Sequence, residues 1–249
     1  MKSLITPGRL LFAIAMMAFG IQHLVFADTG GGLGPPWTPE YHLLAYVLGV
    51  AFIAASLGLG AGWQVRCAAI VVALIALVRV VVCYAPKLAA TPRDPGPWTS
   101  AFELLAISGA GLVLAATFAR SRSRSGRGGS LFEVGRFLFA ISLLVFGIQH
   151  LMYGAFVATL IPKWIPGHLF WAYFVGGAFI AAALAIVSGK LAPLAATLLG
   201  TMFFLWVVML HAPRVVGALH NANEWTSLFV ALAMSGGSWI VAGATAGRD

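Results

Sequence analysis

The feature that most constrains the fold of this chain is a series of eight long apolar runs. They lie at 8–27, 41–61, 65–84, 98–119, 133–153, 168–188, 190–211 and 225–245. About 20 apolar residues in an α-helix, at about 1.5 Å each, cross the roughly 30 Å hydrocarbon core of a bilayer. With 61% hydrophobic and 9% charged residues, the chain also lacks the polar surface that a soluble globule needs. The sequence therefore predicts an all-α integral membrane protein with eight transmembrane helices.

The sequence is also a tandem duplication. A shift from residue 8 to residue 135 aligns the two halves, and twelve of the seventeen residues 8–24 are identical to their counterparts in 135–151. Further matches are Pro35/Pro162, Trp37/Trp164, Pro39/Pro166, Ala85-Pro86/Ala212-Pro213 and Trp98-Thr99-Ser100/Trp225-Thr226-Ser227. We predict a four-helix repeat over 1–119, an Arg/Ser/Gly linker over 120–132 and a second four-helix repeat over 133–249. Because each repeat has an even number of spans, the two copies run parallel, related by a pseudo-twofold axis along the membrane normal.

The basic residues are divided unevenly between the two sides of the predicted bundle. Ten lie on the side of the linker and four on the other side. The ten are Lys2, Arg9, Arg66, Arg120, Arg122, Arg124, Arg127, Arg136, Lys190 and Arg248, and the four are Lys87, Arg93, Lys163 and Arg214. The positive-inside rule then predicts that both termini and the linker are cytoplasmic. The net charge of +8 reflects this topology, and nucleic acid is not an expected partner.

Thiol chemistry is not expected from the two cysteines. Cys67 and Cys83 lie on one predicted helix, about 24 Å apart at 1.5 Å per residue, which is too far for a disulfide. The sequence has no Cys-x-x-Cys and no flavin or nucleotide fingerprint. Electrons for any redox reaction would therefore come from a partner.

Two Gln-His pairs, one near the outer end of span one and one in span five, are the first candidate ligand-binding residues: Gln22-His23 and Gln149-His150. A neutral imidazole in a low-dielectric medium needs partners for both nitrogens. The pairs either brace a neighbouring helix, bind a polar ligand such as a quinone headgroup, or ligate haem or a metal. Haem ligation by His23 and His150 requires spans one and five to meet at the axis, and His211 is a weak third metal ligand. Since adjacent helical residues point about 100° apart, one residue of each pair faces a pocket and the other braces a neighbour.

Arg79 and Glu103 are charged residues inside spans three and four, at similar depth. An ionisable residue within a membrane is costly and is usually paired or functional, so we predict that they form an ion pair. Two structural alternatives remain. Ser100-x-x-Glu103 fits a capping box, as does Ser130-x-x-Glu133 before span five, and Arg79 could snorkel to the interface. The corresponding second-half positions hold Trp206 and Val230, so only the first half carries the charges.

Four repeated tryptophans complete the candidate set: Trp37, Trp164, Trp98 and Trp225. Membrane proteins commonly place tryptophan in belts at headgroup level. Their repetition at loop positions also fits an aromatic rim that stacks on a planar ring.

Each half resembles a four-helix protein of the DoxX-like family. The resemblance rests on Gly8-Arg9 opening span one, Phe19-Gly20-Ile21-Gln22-His23 closing it, and the Trp/Pro-bearing outer loops, and it covers about 8–118 and 135–245. Family members commonly have a basic residue, typically Lys, where this chain has His23 and His150. The resemblance implies a bacterial inner-membrane protein with a link to quinone chemistry, without a defined reaction.

Two functions compete on this basis. The first is a quinone-linked redox component whose extracytoplasmic-side pocket binds a quinone headgroup. The alternative is a non-enzymatic accessory or anchoring subunit of a membrane complex, or a small-molecule transporter. Haem binding ranks behind quinone binding. The expected partners are the lipid bilayer, quinone and other membrane-complex subunits.

Overall fold

The structure, a computed structural model, describes residues 1–25, 41–119 and 127–246. In these ranges the regular elements are helices, and no strand occurs. The α-helices are α1 (Ile5–Val25), α2 (Tyr41–Ala61), α3 (Val65–Arg79), α4 (Ala85–Ala90), α5 (Pro95–Thr117), α6 (Arg127–Met152), α7 (Gly154–Leu160), α8 (His168–Ser188), α9 (Ala192–Trp206), α10 (Ala212–Gly217) and α11 (Ala222–Thr245). Trp37 and residues 120–126 of the predicted linker lie outside the described residues.

Eight helical segments are long and apolar enough to cross a membrane, which confirms the predicted number of spans. They are Lys2–Val25, Leu43–Ala61, Val65–Ala90, Pro95–Thr117, Gly129–Met152, His168–Ser188, Ala192–Gly217 and Ala222–Thr245. The helix α6 begins at Arg127, within the segment that the sequence assigns to the linker. We call the end of the bundle where α5 ends and α6 begins the linker end, and the opposite end the distal end.

The spans α5 and α11 begin at side-chain caps. Asp94 and Asn221 each accept the backbone N–H two residues further on, at 3.0 Å, and such caps satisfy otherwise unpaired N–H groups. Asp94 precedes Pro95, which favours the first helical position. The capping boxes predicted at Ser100 and Ser130 are wrong, because both serines lie inside helices that begin earlier.

The third and seventh spans each contain a π-helical turn, Val80–Tyr84 and Val207–His211. In both, the first residue after the turn donates its N–H to the carbonyl five residues back. The cause lies one residue later, at Pro86 and Pro213. Proline has no N–H and its ring clashes with the carbonyl four residues back, so the helix accommodates it by widening.

Glycines allow the spans of one half to pack tightly on those of the other. The helix α1 packs against α2 and α11, while α6 packs against α5 and α8, and α5 also packs against α11. A Cβ atom on Gly8 would lie 2.7 Å from the carbonyl oxygen of Gly236, and one on Gly135 would lie 2.6 Å from that of Gly109. Both contacts require glycine, in keeping with close helix packing through small residues in lipid.

Two arginines cap helices at the linker end. Arg9 on α1 donates to the carbonyl of Leu59, near the end of α2. The corresponding Arg136 on α6 donates to the carbonyl of Ile186, near the end of α8, at 2.9 Å, and pairs with Glu133 at 2.5 Å. Cationic side chains at helix C-termini donate hydrogen bonds to the free carbonyls and interact favourably with the helix dipole. The Gly-Arg sequence that opens each half thus combines a packing residue with a capping residue.

Candidate ligand-binding site

A buried histidine–arginine contact lies at the distal end, between α1 and the C-terminus of α3. Nη1 of Arg79 lies 3.0 Å from Nε2 of His23, while Nδ1 of His23 lies 2.7 Å from the carbonyl oxygen of Phe19. A carbonyl oxygen only accepts, so Nδ1 carries the proton and Nε2 accepts from the guanidinium. His23 is therefore a neutral imidazole with both nitrogens in hydrogen bonds.

The Arg79 side chain is buried, since the residue is only 8% exposed. Its Nε atom is fully buried and has no hydrogen-bond partner among the described residues. Among the described residues, no carboxylate lies within 4.0 Å of its guanidinium. A snorkelling arginine keeps its guanidinium in water, so this alternative does not fit the buried Arg79. The guanidinium is held within the span by His23, without a described counter-ion.

The predicted ion pair between Arg79 and Glu103 does not form in the described structure. Arg79 turns toward α1 and His23. Glu103 is half-buried on α5 and makes neither an ion pair nor a hydrogen bond to the described residues. The prediction matched the depths of the two side chains, but depth does not determine the direction in which a side chain leaves its helix.

The second half has the same histidine geometry without the charge. Nδ1 of His150 lies 2.8 Å from the carbonyl oxygen of Phe146. Its ring stacks on Trp206 at 6.5 Å between centroids and contacts the edge of Phe179 at 5.2 Å. Trp206 occupies the position that corresponds to Arg79, and both residues are followed by a π turn. The π turn therefore forms with or without an arginine before it.

The two glutamines join the halves. Nε2 of Gln22 on α1 donates to the hydroxyl of Thr226 on α11 at 3.2 Å. In the corresponding place, the Thr99 hydroxyl on α5 donates to Gln149 on α6 at 3.1 Å, and Gln149 donates to the carbonyl of Pro95 at 3.1 Å. Gln22 and His23 therefore contact different neighbours, α11 and α3. That one member of each pair faces a pocket stays a prediction.

The candidate tryptophans that the structure describes make no hydrogen bond or ring contact with His23 or Arg79. The indole N–H groups of Trp98 and Trp225 each donate to the backbone carbonyl six residues earlier, at 3.0 and 2.9 Å. They hold the turns that precede α5 and α11. Trp164 is 67% exposed, and Trp37 lies outside the described residues.

The histidines considered for haem or metal ligation lie in separate surroundings. His23 and His150 have different partners, because α1 and α6 pack against different helices. The Nε2 lone pair of His23 is already occupied by Arg79. His211 ends the second π turn, and its buried Nδ1 has no hydrogen-bond partner within the described ranges. Across residues 1–25, 41–119 and 127–246, no three His, Cys, Asp or Glu side chains are grouped so as to hold a metal.

The family model of DoxX matches residues 4–85. We call residues 4–85, which are similar to this family over spans one to three, the DoxX region. The DoxX region contains His23, Arg79 and the first π turn, and the match confirms the resemblance for the first half as far as residue 85. Together, the DoxX region and the eight apolar helices make this a multi-pass membrane protein. No curated protein and no solved structure matches the chain.

Proposed function

We propose that the chain consists of two parallel four-helix repeats in a bacterial inner membrane, with both termini cytoplasmic and the distal end extracytoplasmic. Paired contacts at corresponding positions support the pseudo-twofold axis: Gly8 with Gly236, and Gly135 with Gly109. The excess of Lys and Arg on the side of the linker supports the orientation.

Cysteine labelling tests this topology. In full-length protein that carries Cys67→Ser and Cys83→Ser, a cysteine is placed at exposed His220 or at exposed Ser130. A membrane-impermeant maleimide should label His220→Cys in intact spheroplasts and Ser130→Cys only after permeabilisation. The reverse pattern would place the linker outside and remove the proposed orientation.

The His23–Arg79 pair is proposed as the binding site for a quinone headgroup. One observation carries the proposal: a guanidinium is buried inside a membrane span, and its Nε has no hydrogen-bond partner in the part of the chain that the structure describes. An ionisable residue at such a position marks a functional site by default. A quinone carbonyl accepts a hydrogen bond from the guanidinium, and its apolar tail allows it to enter from the bilayer. The adjacent π turn is a second feature common at functional sites.

Each residue then has a distinct role. Arg79 donates to the headgroup, and His23 fixes the orientation of Arg79 because its own N–H is tied to Phe19. Gln22 and Gln149 brace the two halves. The chain has no cysteine motif or nucleotide fingerprint to deliver electrons, so a partner subunit of a membrane complex supplies them.

Calorimetric titration of a soluble short-chain quinone into the full-length protein in nanodiscs tests this function. Arg79→Gln should weaken binding at least about tenfold, the effect of losing one charged hydrogen bond. The matched control is Arg214→Gln, since Arg214 is partly exposed and pairs with Glu224 at 3.9 Å. If the wild type binds no quinone, the redox proposal fails, and co-purification of a larger complex would favour the accessory subunit.

A further inference from the structure

We propose that the headgroup bound at Arg79 is an oxyanion rather than a neutral carbonyl. This inference rests on the proposed function in placing a ligand at the His23–Arg79 pair. It adds the charge of the ligand, which the quinone assignment leaves open.

The charge balance around Arg79 is the first argument. The described residues contain four carboxylates. Asp94 caps α5, Glu133 pairs with Arg136, Glu224 pairs with Arg214, and Glu103 makes no ion pair. His23 is neutral by its hydrogen-bond geometry. Removing one cation from water without a counter-charge is costly, and an anionic ligand offsets that cost directly.

The unused donors of Arg79 are the second argument. Nη1 is occupied by His23, whereas Nε and Nη2 make no hydrogen bond to the described residues. These two N–H groups share one edge of the planar guanidinium. Such an edge matches two oxygens of a carboxylate, a phosphate or an ionised hydroxyquinone in a bidentate pair. A single neutral carbonyl oxygen fits this edge less completely.

Comparison with the second half is the third argument. Trp206 fills the position of Arg79 beside His150, and the π turn that follows is retained. The helix–helix packing around this position therefore tolerates a neutral ring. A structural role does not explain why the first half has a cation here.

A matched pair of ligands measures the preference. The probes are 2-hydroxy-1,4-naphthoquinone, which is ionised at neutral pH, and its neutral 2-methoxy analogue. In full-length protein in zwitterionic nanodiscs, the wild type should bind the ionised compound about tenfold more tightly, because hydrogen bonds to charged groups are about twice as strong. Arg79→Gln should abolish this preference, Arg79→Lys should retain part of it, and Arg214→Gln should leave it unchanged.

Two further arms identify the source of the oxyanion. Inorganic phosphate that displaces the ionised quinone indicates a site open to free oxyanions. Displacement of the ionised quinone in nanodiscs that contain anionic phosphatidylglycerol indicates that a lipid headgroup binds at the site. Displacement in either arm supports the inference only if Arg79→Gln removes it.

The outcomes separate this inference from the proposed function. Equal affinity for both naphthoquinones overturns the oxyanion inference and leaves the quinone site intact. If neither naphthoquinone binds, the proposal of a quinone site is wrong. The oxyanion inference is then supported only if phosphate or anionic lipid binds and Arg79→Gln removes that binding, and it is wrong if neither binds. A preference that persists in Arg79→Gln overturns the inference.

Discussion

The buried guanidinium of Arg79 contacts the imidazole of His23 and has no counter-ion among the described residues. The sequence identified Arg79 and His23 as chemically unusual, because a cation and an imidazole interrupt apolar spans. It paired Arg79 with Glu103, whereas the structure pairs it with His23. Depth in the membrane follows from counting residues along a helix. Direction does not, because a helix that is apolar on every face gives no sign of which face meets which neighbour.

The uncompensated charge leads to a stability prediction. Arg79→Met should raise the apparent unfolding temperature in detergent by about 2–4 °C, the shift expected from about 1 kcal/mol, because it removes a buried cation that has no described counter-ion. The control is Arg136→Met. It should lower the temperature, because Arg136 caps α8 and pairs with Glu133. A clear fall for Arg79→Met would mean that the folded chain already neutralises the charge.

At the scale of elements, the existence of the helices was predictable and their interruptions were not. Apolar run length is a strong signal for a transmembrane helix, so the eight spans were confirmed. The apolar pattern does not predict the π turns, although Ala85-Pro86 and its copy Ala212-Pro213 directly follow them. A proline inside an apolar run indicates a local break, but its position alone does not distinguish a kink from a π turn.

The first π turn should control how Arg79 is presented. Pro86→Ala restores an N–H, which allows the turn Val80–Tyr84 to close into an α-helix and rotates its two sides relative to one another by about 100°. We expect calorimetric binding of the ionised naphthoquinone to weaken several-fold. Pro213→Ala is the matched control and should leave binding unchanged, because Trp206 precedes that turn. Equal effects of the two variants would show that the turns act only through overall stability.

Glycine packing gives a prediction at the same scale. A Cβ on Gly109 would lie 2.6 Å from the carbonyl oxygen of Gly135 and 2.7 Å from the amide nitrogen of Phe139. Both are backbone atoms, so Gly109→Ala must separate α5 from α6, at a cost of about 1–3 kcal/mol in denaturant unfolding. Gly60→Ala on α2 is the control, with nothing within 4 Å of its Cβ. It should be neutral or stabilise by up to about 1 kcal/mol. Similar effects at the two positions would contradict the tight contact.

At the scale of the whole molecule, the duplication was readable but the way the halves interlock was not. Identical residues at a fixed shift need no structural information to detect. The structure places α1 against α11 and α6 against α5, so the first span of each half contacts the last span of the other. Small residues occur on many of the spans, and lipid-facing helices lack the polar faces that orient helices in water. The partner of each glycine surface therefore could not be deduced from the pattern.

The interlocked arrangement predicts two equivalent cross-links. Cysteines at Gln22 and Thr226 should be joined by a short bismaleimide, because their side chains hydrogen-bond at 3.2 Å. Cysteines at Thr99 and Gln149 should be joined equally well, since that contact is 3.1 Å. The background carries Cys67→Ser and Cys83→Ser, and a protease site within 120–126 separates the halves before electrophoresis.

A pseudo-twofold axis requires the two cross-links to occur together. After cleavage, the two halves of each native-pair variant should migrate as one cross-linked species. The two halves of a Gln22→Cys/Gln149→Cys variant should separate, because α1 and α6 pack against different helices. Cross-linking of only one native pair would mean that the halves are not related by that axis. Cross-linking of the Gln22/Gln149 pair would place the two Gln-His segments side by side and reopen the haem interpretation. Arg79 and the corresponding Trp206 would then belong to one shared site. In the described structure they belong to two separate sites, of which only the Arg79 site contains a charge.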